Sequence, residues 1–267
     1  MRRYLPIIAL LLSDIALAAD APACPNPLRI GFHDSAIPPM LNGHGSSFED
    51  PPGWQVEAVN DALQRLGCKA ELLRLPSRRL STWLVQGRIE FALFLGATPQ
   101  RMSGMRFPLD GRGRPDASWA PLLGTLALFG RRGSTPDPAW NGSVLPAGTR
   151  VGVVSGSLQE TVARERGWSI VPISTYDLAF GMLDANRFDL LLSPAPRETL
   201  LPEQRAGLVE WAPAAAQVPF FAPASPAIVR NRPAWVNDFW HGLCRAVRRY
   251  APNARPVECG VKLLASP

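Results

Sequence analysis

The stretch Phe94-Leu-Gly-Ala-Thr-Pro-Gln-Arg101 joins the end of a strand to the start of a helix. An apolar run ends at Gly96, and Thr98 followed by Pro99 is typical of a helix N-cap and first helical residue. This pattern places Arg101 in the first helical turn. Because a helix N-terminus carries a partial positive charge, a cation is disfavoured there unless an anion lies nearby. The stretch therefore predicts an anion close to Arg101, either a solute or a carboxylate of the chain itself.

Strands and helices alternate on both sides of this stretch. Short apolar runs predict strands, and apolar residues at helical spacing predict the segments between them as helices. The predicted strands are 28–32, 69–75, 89–95, 150–154, 169–172 and 188–192, and the predicted helices are 54–66, 79–85, 158–166 and 175–185. Two successive βαβαβ units predict an α/β protein with two lobes, each built on a parallel sheet with right-handed crossovers.

The C-terminal part of the chain predicts a return to the first lobe. Residues 217–229 are apolar and are predicted to be extended. A long helix over 234–250 follows, with one apolar face that is expected to pack in a core. If this helix packs on the first lobe, the chain crosses between the lobes twice.

The N-terminus has the three parts of a secretory signal peptide. Two arginines precede an apolar run at 4–12, and Ala-Leu-Ala at 16–18 is a cleavage signal. A signal peptide over 1–18 predicts a soluble periplasmic protein that begins near Ala19. The alternative is a buried N-terminal helix.

Composition narrows the class of function. The formal net charge is +6, but the arginines are scattered and no recognition motif accompanies them, so nucleic acid is not an expected partner. There is no Walker loop, G-x-S-x-G or H-E-x-x-H motif, and Cys and His lack metal-ligand spacing except for His241 near Cys244. We therefore expect no metal, no cofactor and no catalysis, and a monomer that binds a small molecule.

Four cysteines in an exported chain predict disulfides, with three possible pairings. Cys24 and Cys68 each come just before a predicted strand. If those strands are parallel neighbours, both thiols lie at the same end of the sheet. We expect Cys24 to pair with Cys68, which leaves Cys244 with Cys259.

Three loops follow strands at the edge of the sheets where α/β proteins bind ligands, at 32–40, 95–101 and 154–160. In the third loop, Ser157 and Glu160 match a capping box, and Gly156 lets the backbone come close to a ligand. The capping box by itself indicates only a helix start. Together with Arg101, this loop predicts a site for a solute carboxylate between the lobes.

Three other residues are weaker candidates. His33 and Asp34 end the first strand and are expected to point into the cleft, or else to form a turn. Arg79 starts a predicted helix and is either a second cation of the cleft or a partner in a structural ion pair.

The order of motifs resembles one family of binding proteins. The chain is similar to the bacterial extracellular solute-binding proteins of family 3, the amino-acid binders of ABC importers, over nearly all of its mature length. The matching motifs are LRIGF at 28–32, IPPM at 37–40, GWQVEAVN at 53–60, PSRRL at 76–80, GRIEF at 87–91, ATPQR at 97–101 and RVGVVSGS at 150–157.

This resemblance implies a type 2 periplasmic-binding fold, in which two lobes joined by two crossover strands close on a solute. The implied lobes are 26–115 with 218–267, and 116–217. The Arg matching Arg101 would grip the solute carboxylate, helped by two loops. These loops contain Gly96, Ala97 and Thr98 in the first lobe, and Gly156, Ser157 and Leu158 in the second.

The chain also departs from the family pattern. Gly96 replaces the usual Ser or Thr, no aromatic residue lies near Ile37, and the acid that usually holds an α-ammonium is absent from the sequence SPAP at 193–196. Asp34 and Glu198 are possible replacements. We therefore expect a periplasmic binder of a small carboxylate, an amino acid or a related anion, for ABC import. The alternatives are an orphan sensor or adaptor for a membrane partner and a dehydratase-like enzyme on the same fold.

Overall fold

The computed structural model of the chain describes residues 23–194, 206–251 and 259. Helices pack on two β-sheets in this part of the chain. The predicted signal peptide at 1–18 lies outside the described residues. No helix in the described ranges is both long enough and apolar enough to cross a membrane.

The first sheet contains three parallel strands in the order β2-β1-β3. Strand β1 (Arg29–His33) is connected to β2 (Glu71–Leu75) through helix α1 (Trp54–Arg65). Helix α2 (Ser77–Val85) then leads to the short strand β3 (Phe91–Ala92). This is the βαβαβ unit that the sequence predicts, except that α2 begins two residues before the predicted start at 79.

The sheet is buried on both faces. Ile30 and Phe32 point into the core formed with α1 and the C-terminal helix α7 (Pro233–Tyr250). On the other face, a Cβ added at Gly31 would lie 2.5 Å from Cδ1 of Leu80 in α2, so a larger residue there requires this side chain to move. The last helix therefore packs on the first sheet.

The predicted strand over 89–95 is interrupted at Phe94. This residue has a φ of 58°, in the left-handed region that residues with a Cβ rarely adopt. Its ring packs edge-on against Trp54, with 5.5 Å between ring centroids. The turn at Phe94 takes the chain out of the first sheet, so that β4 (Leu95–Gly96) pairs antiparallel with β9 (Leu208–Phe221) of the second sheet. The prediction of one continuous strand is wrong for this reason.

The second sheet has six strands in the order β4-β9-β5-β8-β6-β7. Strands β6, β7 and β8 are parallel to one another and form the second βαβαβ unit, whereas β5 and β9 are antiparallel neighbours. The remaining elements of this lobe are β5 (Leu122–Arg131), β6 (Arg150–Val154), α4 (Leu158–Glu165), β7 (Ser169–Ile173), α5 (Tyr176–Asp184) and β8 (Leu190–Ser193).

Three short helices complete the described fold: α3 (Pro99–Gly104), a 3₁₀ helix (Ala117–Trp119) and α6 (Pro226–Asn231). The prediction that 217–229 is extended is wrong from Pro226 onward. The hydroxyl of Ser225 accepts a hydrogen bond from the backbone N–H of Ile228 at 3.3 Å. This cap and a proline at the first helical position start a helix there.

Strands β5 and β9 are the two crossovers between the lobes. Strand β9 pairs with β4 on one side and with β5 on the other. The predicted lobe limit at 217 therefore falls within a continuous strand, and the limit at 116 falls just before the 3₁₀ helix. Both limits stay a prediction. Both predicted disulfides are confirmed, Cys24 with Cys68 and Cys244 with Cys259. The first follows from the parallel pairing of β1 with β2, as expected.

Candidate functional site

Arg101 lies in the first turn of α3, as the sequence predicts. Thr98 is the N-cap, and its hydroxyl accepts a hydrogen bond from the backbone N–H of Arg101 at 3.2 Å. Pro99 occupies the first helical position. This local geometry directs the long Arg101 side chain inward, and the residue is only 8% exposed.

The guanidinium of Arg101 bridges the two lobes. Its Nη1 donates to the carbonyl of Gly96 at 2.9 Å, and its Nη2 donates to the carbonyl of Gly156 at 2.9 Å. No carboxylate in the described part of the chain forms an ion pair with it. Burial lowers the pKa of Arg101 to about 10, so the group remains a cation at neutral pH. Within the described residues, its hydrogen-bond acceptors are the two backbone carbonyls of Gly96 and Gly156.

The loop between β6 and α4 supplies the second-lobe side of this contact. Ser157 caps α4 and accepts a hydrogen bond from the N–H of Glu160 at 3.2 Å, while Glu160 accepts one from the N–H of Gly156 at 2.6 Å. The predicted capping box is therefore confirmed. Gly156 presents its carbonyl to Arg101, because a guanidinium can only donate hydrogen bonds. The Gly156 N–H, which the sequence analysis expected to face a solute, is bonded to Glu160 instead.

Leu158 of the second lobe rests directly on Gly96 of the first. A Cβ added at Gly96 would lie 3.0 Å from Cγ of Leu158 and closer still to its Cδ2. Leu158 is 7% exposed. In the family pattern, a Ser or Thr hydroxyl stands at position 96. Here the side chain of Leu158 from the opposite lobe occupies that space.

A tyrosine also lies at this junction. The phenol of Tyr176, at the start of α5, accepts a hydrogen bond from the amide of Gln159. Burial raises its pKa, and contacts with Gln159, Arg101 and Ser157 act in the opposite direction. Tyr176 therefore stays a neutral phenol close to Arg101. The sequence analysis did not identify it, although it follows strand β7 at the same edge as the other loops.

His33 ends β1 and lies on the first-lobe side of the site. Its Nδ1 is 3.2 Å from the hydroxyl of Ser77 at the start of α2. Burial lowers the pKa of His33 to about 4, and the charges of Arg101 and Arg74 contribute in the same direction. The imidazole is therefore neutral at physiological pH.

Arg74 fixes the loop that follows β1. It is buried, and its guanidinium donates to the carbonyls of Asp34 at 2.9 Å, Asn42 at 2.6 Å and Gly43 at 2.8 Å. The same group lies 5.4 Å from the ring centroid of Phe48. Asp34 is thus held at the site through its backbone. Sequence reasoning missed Arg74, because a lone arginine in a strand carries no local motif.

The structure places Arg78, rather than Arg79, against the second lobe. Both arginines are exposed on α2. The Cγ of Arg78 would lie 3.2 Å from a Cβ added at Gly156, and its charge also lowers the pKa of Glu160. Because α2 starts at Ser77, Arg78 already lies in the first helical turn, where its side chain reaches Gly156.

The second lobe receives one more apolar contact from the first. Ile37, in the loop after β1, packs against the hydrophobic cluster of the second lobe that contains Phe129, Val154 and Tyr176. The site is therefore lined by both lobes, with apolar contacts at Leu158 and Ile37 around a polar centre. The site residues predicted from the sequence that lie together at this junction are His33, Gly96, Ala97, Thr98, Arg101, Gly156, Ser157 and Leu158.

Comparisons with known proteins support the fold. No protein-family model matches the chain, and no curated protein matches it. Solved structures, in contrast, do match the chain. The GluR0 ligand-binding core from Nostoc punctiforme, in complex with L-glutamate, has a TM-score of 0.63 at 15% identity and covers 84% of this chain and 99% of its own.

Two further structures give the same result. An ancestral arginine-binding protein bound to arginine has a TM-score of 0.62 at 16% identity, covering 86% of this chain and 98% of its own. A histidine kinase sensor domain with similarity to periplasmic binding proteins has a TM-score of 0.65 at 16% identity, covering 85% and 96%. The chain therefore has the two-lobed type 2 periplasmic-binding fold, and the predicted resemblance to family 3 holds at the level of the fold.

Proposed function

We propose that this protein captures a small carboxylate-bearing solute between its lobes. The observation that carries the proposal is Arg101, a buried guanidinium at the lobe junction that forms no ion pair with a described carboxylate. A buried cation is costly unless an anion compensates it. Its hydrogen bonds to Gly96 and Gly156 leave other guanidinium N–H groups for a solute carboxylate.

The surrounding groups support binding rather than catalysis. His33 is the one imidazole at this junction among the described residues, and a pKa of about 4 is far from that of an efficient general base at neutral pH. Tyr176 is kept protonated by burial, so it suits hydrogen bonding to an anion. The dehydratase-like alternative is not proposed on these grounds.

We further propose that the protein works in the periplasm and delivers its solute to an ABC permease as a monomer. The predicted signal peptide and two disulfides support an oxidising compartment. A sensor domain is the second candidate, favoured by the likeness to a histidine kinase sensor domain. Pull-down of the solute-loaded protein with any permease or sensor kinase encoded near its gene would separate the two roles.

The test of the binding proposal is Arg101→Ala. A thermal-shift screen of the mature protein against carboxylic acids and amino acids identifies a solute, since a ligand that binds only the folded state raises the melting temperature. Calorimetry then measures its affinity. Loss of a bidentate guanidinium–carboxylate contact is expected to weaken binding by at least about 100-fold.

The matched controls are Arg79→Ala and Arg101→Lys. Arg79 is an exposed arginine of the same lobe, so its loss is expected to leave affinity unchanged. Arg101→Lys keeps the charge but lacks the planar fork and is expected to fall between wild type and Arg101→Ala. Unchanged affinity in Arg101→Ala would show that the solute binds elsewhere.

A further inference from the structure

The contact between Leu158 and Gly96 bears on which carboxylates the site accepts. The carbonyl of Gly96 is 2.9 Å from Nη1 of Arg101, and the Leu158 side chain covers Gly96 itself. In any carboxylic acid held by Arg101, the α-carbon is one bond from the carboxylate. Leu158 is therefore placed to contact the α-carbon and its substituents.

Leu158 offers this position only methyl groups. A charged substituent that loses water against an apolar side chain without a hydrogen-bond partner is destabilised, and more so than a neutral polar one. Ile37 adds a second aliphatic side chain from the first lobe at the same junction. The apolar contacts favour a solute that is uncharged around its α-carbon.

The charges near the site act against an ammonium group. Arg101 and Arg74 both shift the pKa of His33 downward, so their positive charges act on the first-lobe side of the site. Arg78 lies beside Gly156 on the opposite side. The nearby carboxylate of Glu160 already accepts from the N–H of Gly156 and from Arg164 at 2.7 Å, which lowers its pKa and ties up its charge.

We infer, on the basis of the proposed function, that the solute is a small carboxylate without an α-ammonium group, and that Leu158 is the residue that sets this specificity. The class includes 2-oxo acids and unsubstituted short-chain acids. The same chain would bind an α-amino acid of equal size more weakly, because the ammonium meets the aliphatic side chains of Leu158 and Ile37 and the positive charges of Arg101, Arg74 and Arg78.

The experiment compares matched pairs of probes that differ only at the α-carbon: pyruvate and L-alanine, 2-oxoglutarate and L-glutamate, and 2-oxoisovalerate and L-valine. Dissociation constants are measured for wild type, Leu158→Thr, Leu178→Thr and Arg101→Ala. Leu158→Thr supplies a hydroxyl and more space at the α-carbon. Leu178 is a leucine of the same lobe that is 53% exposed, so it is the matched control.

The expected result is that at least one 2-oxo acid binds wild type about tenfold or more tightly than its amino-acid partner. Leu158→Thr is expected to reduce that ratio by about tenfold, and Leu178→Thr is expected to leave it unchanged. Folding of each variant is verified by its circular dichroism spectrum before binding is measured.

Two sets of results overturn the inference in distinguishable ways. If amino acids bind wild type as tightly as their 2-oxo partners and depend on Arg101, or if Leu158→Thr leaves the ratio unchanged, the specificity inference is wrong and the proposed carboxylate site stands. If no acid of either kind binds, or if binding survives in Arg101→Ala, the carboxylate site itself is wrong and the inference falls with it.

Discussion

The position of Arg101 is set by its neighbours in the sequence, whereas one of its hydrogen-bond partners lies far away in the sequence. The Thr98 cap and Pro99 fix its position in the first turn of α3, and both are visible in the sequence. Its carbonyl acceptor at Gly156 lies 55 residues along the chain. Local sequence patterns predicted the position of Arg101 and the loop at 154–160 that faces it, but not the direct hydrogen bond from Arg101 to the carbonyl of Gly156.

His33 gives a prediction on pH and stability. Its pKa is about 4 in the folded protein and about 6.5 when exposed. As the pH falls from 6.5 toward 4, the unfolded chain takes up a proton that the folded protein does not. The free energy of unfolding should therefore fall over this window, by up to about 3 kcal/mol at its lower end.

The measurement is urea denaturation of wild type and His33→Gln from pH 7.5 to pH 4. The variant lacks this proton uptake, so the difference between the two curves isolates His33 from the carboxylates that titrate in the same range. A difference that stays constant between pH 7 and pH 4.5 would contradict the lowered pKa.

Two elements show where sequence reasoning succeeded and where it failed. Strand β6 (Arg150–Val154) occupies the predicted residues, because a short apolar run bounded by polar turns is a strong local signal. The predicted strand at 89–95 is divided by Phe94, which has a left-handed backbone. That conformation is typical of glycine and asparagine, so a phenylalanine gives no sequence signal for it. Likewise α2 begins at Ser77, and Arg78 instead of Arg79 meets the second lobe.

The junction of β4 with the start of α4 gives a second prediction. Gly96→Ala adds a Cβ that collides with Leu158, so either Leu158 moves or the lobes separate. Either change exposes the side chain of Leu158, so we expect the free energy of unfolding to fall by about 1–3 kcal/mol. Urea denaturation measures the change.

Gly181→Ala is the matched control for this substitution. Gly181 lies in α5 with no atom near a built Cβ, so alanine there is expected to stabilise by up to about 1 kcal/mol. The double variant Gly96→Ala/Leu158→Ala should cost less than the sum of its two single variants, because the collision is removed. A neutral Gly96→Ala would show that the lobes do not meet at this point.

At the scale of the whole molecule, the two-lobed architecture was predictable because the βαβαβ order repeats. The contact between the two lobes was not predictable, since it depends on pairs such as Ile37 and the hydrophobic cluster around Phe129. Such contacts join residues from different lobes that have no common sequence pattern. The two crossover strands β5 and β9 are the places where these lobes can rotate.

Closure gives the whole-molecule prediction. A compact chain of this length has a radius of gyration of roughly 18 Å. A saturating solute is expected to decrease the measured radius in small-angle scattering, because closure on the solute depletes molecules whose lobes lie apart. Arg101→Ala with the same solute concentration should show no decrease. An unchanged scattering profile of wild type with saturating solute would contradict a clamshell.

The turn at Phe94 has a mechanical consequence. It transfers Leu95 and Gly96 to the crossover strand β9, where they pair with Phe221 and Phe220. Arg101 lies five residues after Gly96 in the chain. In the proposed function, a solute bound by Arg101 would therefore be connected to β9 through one short backbone segment, without passing through the first sheet.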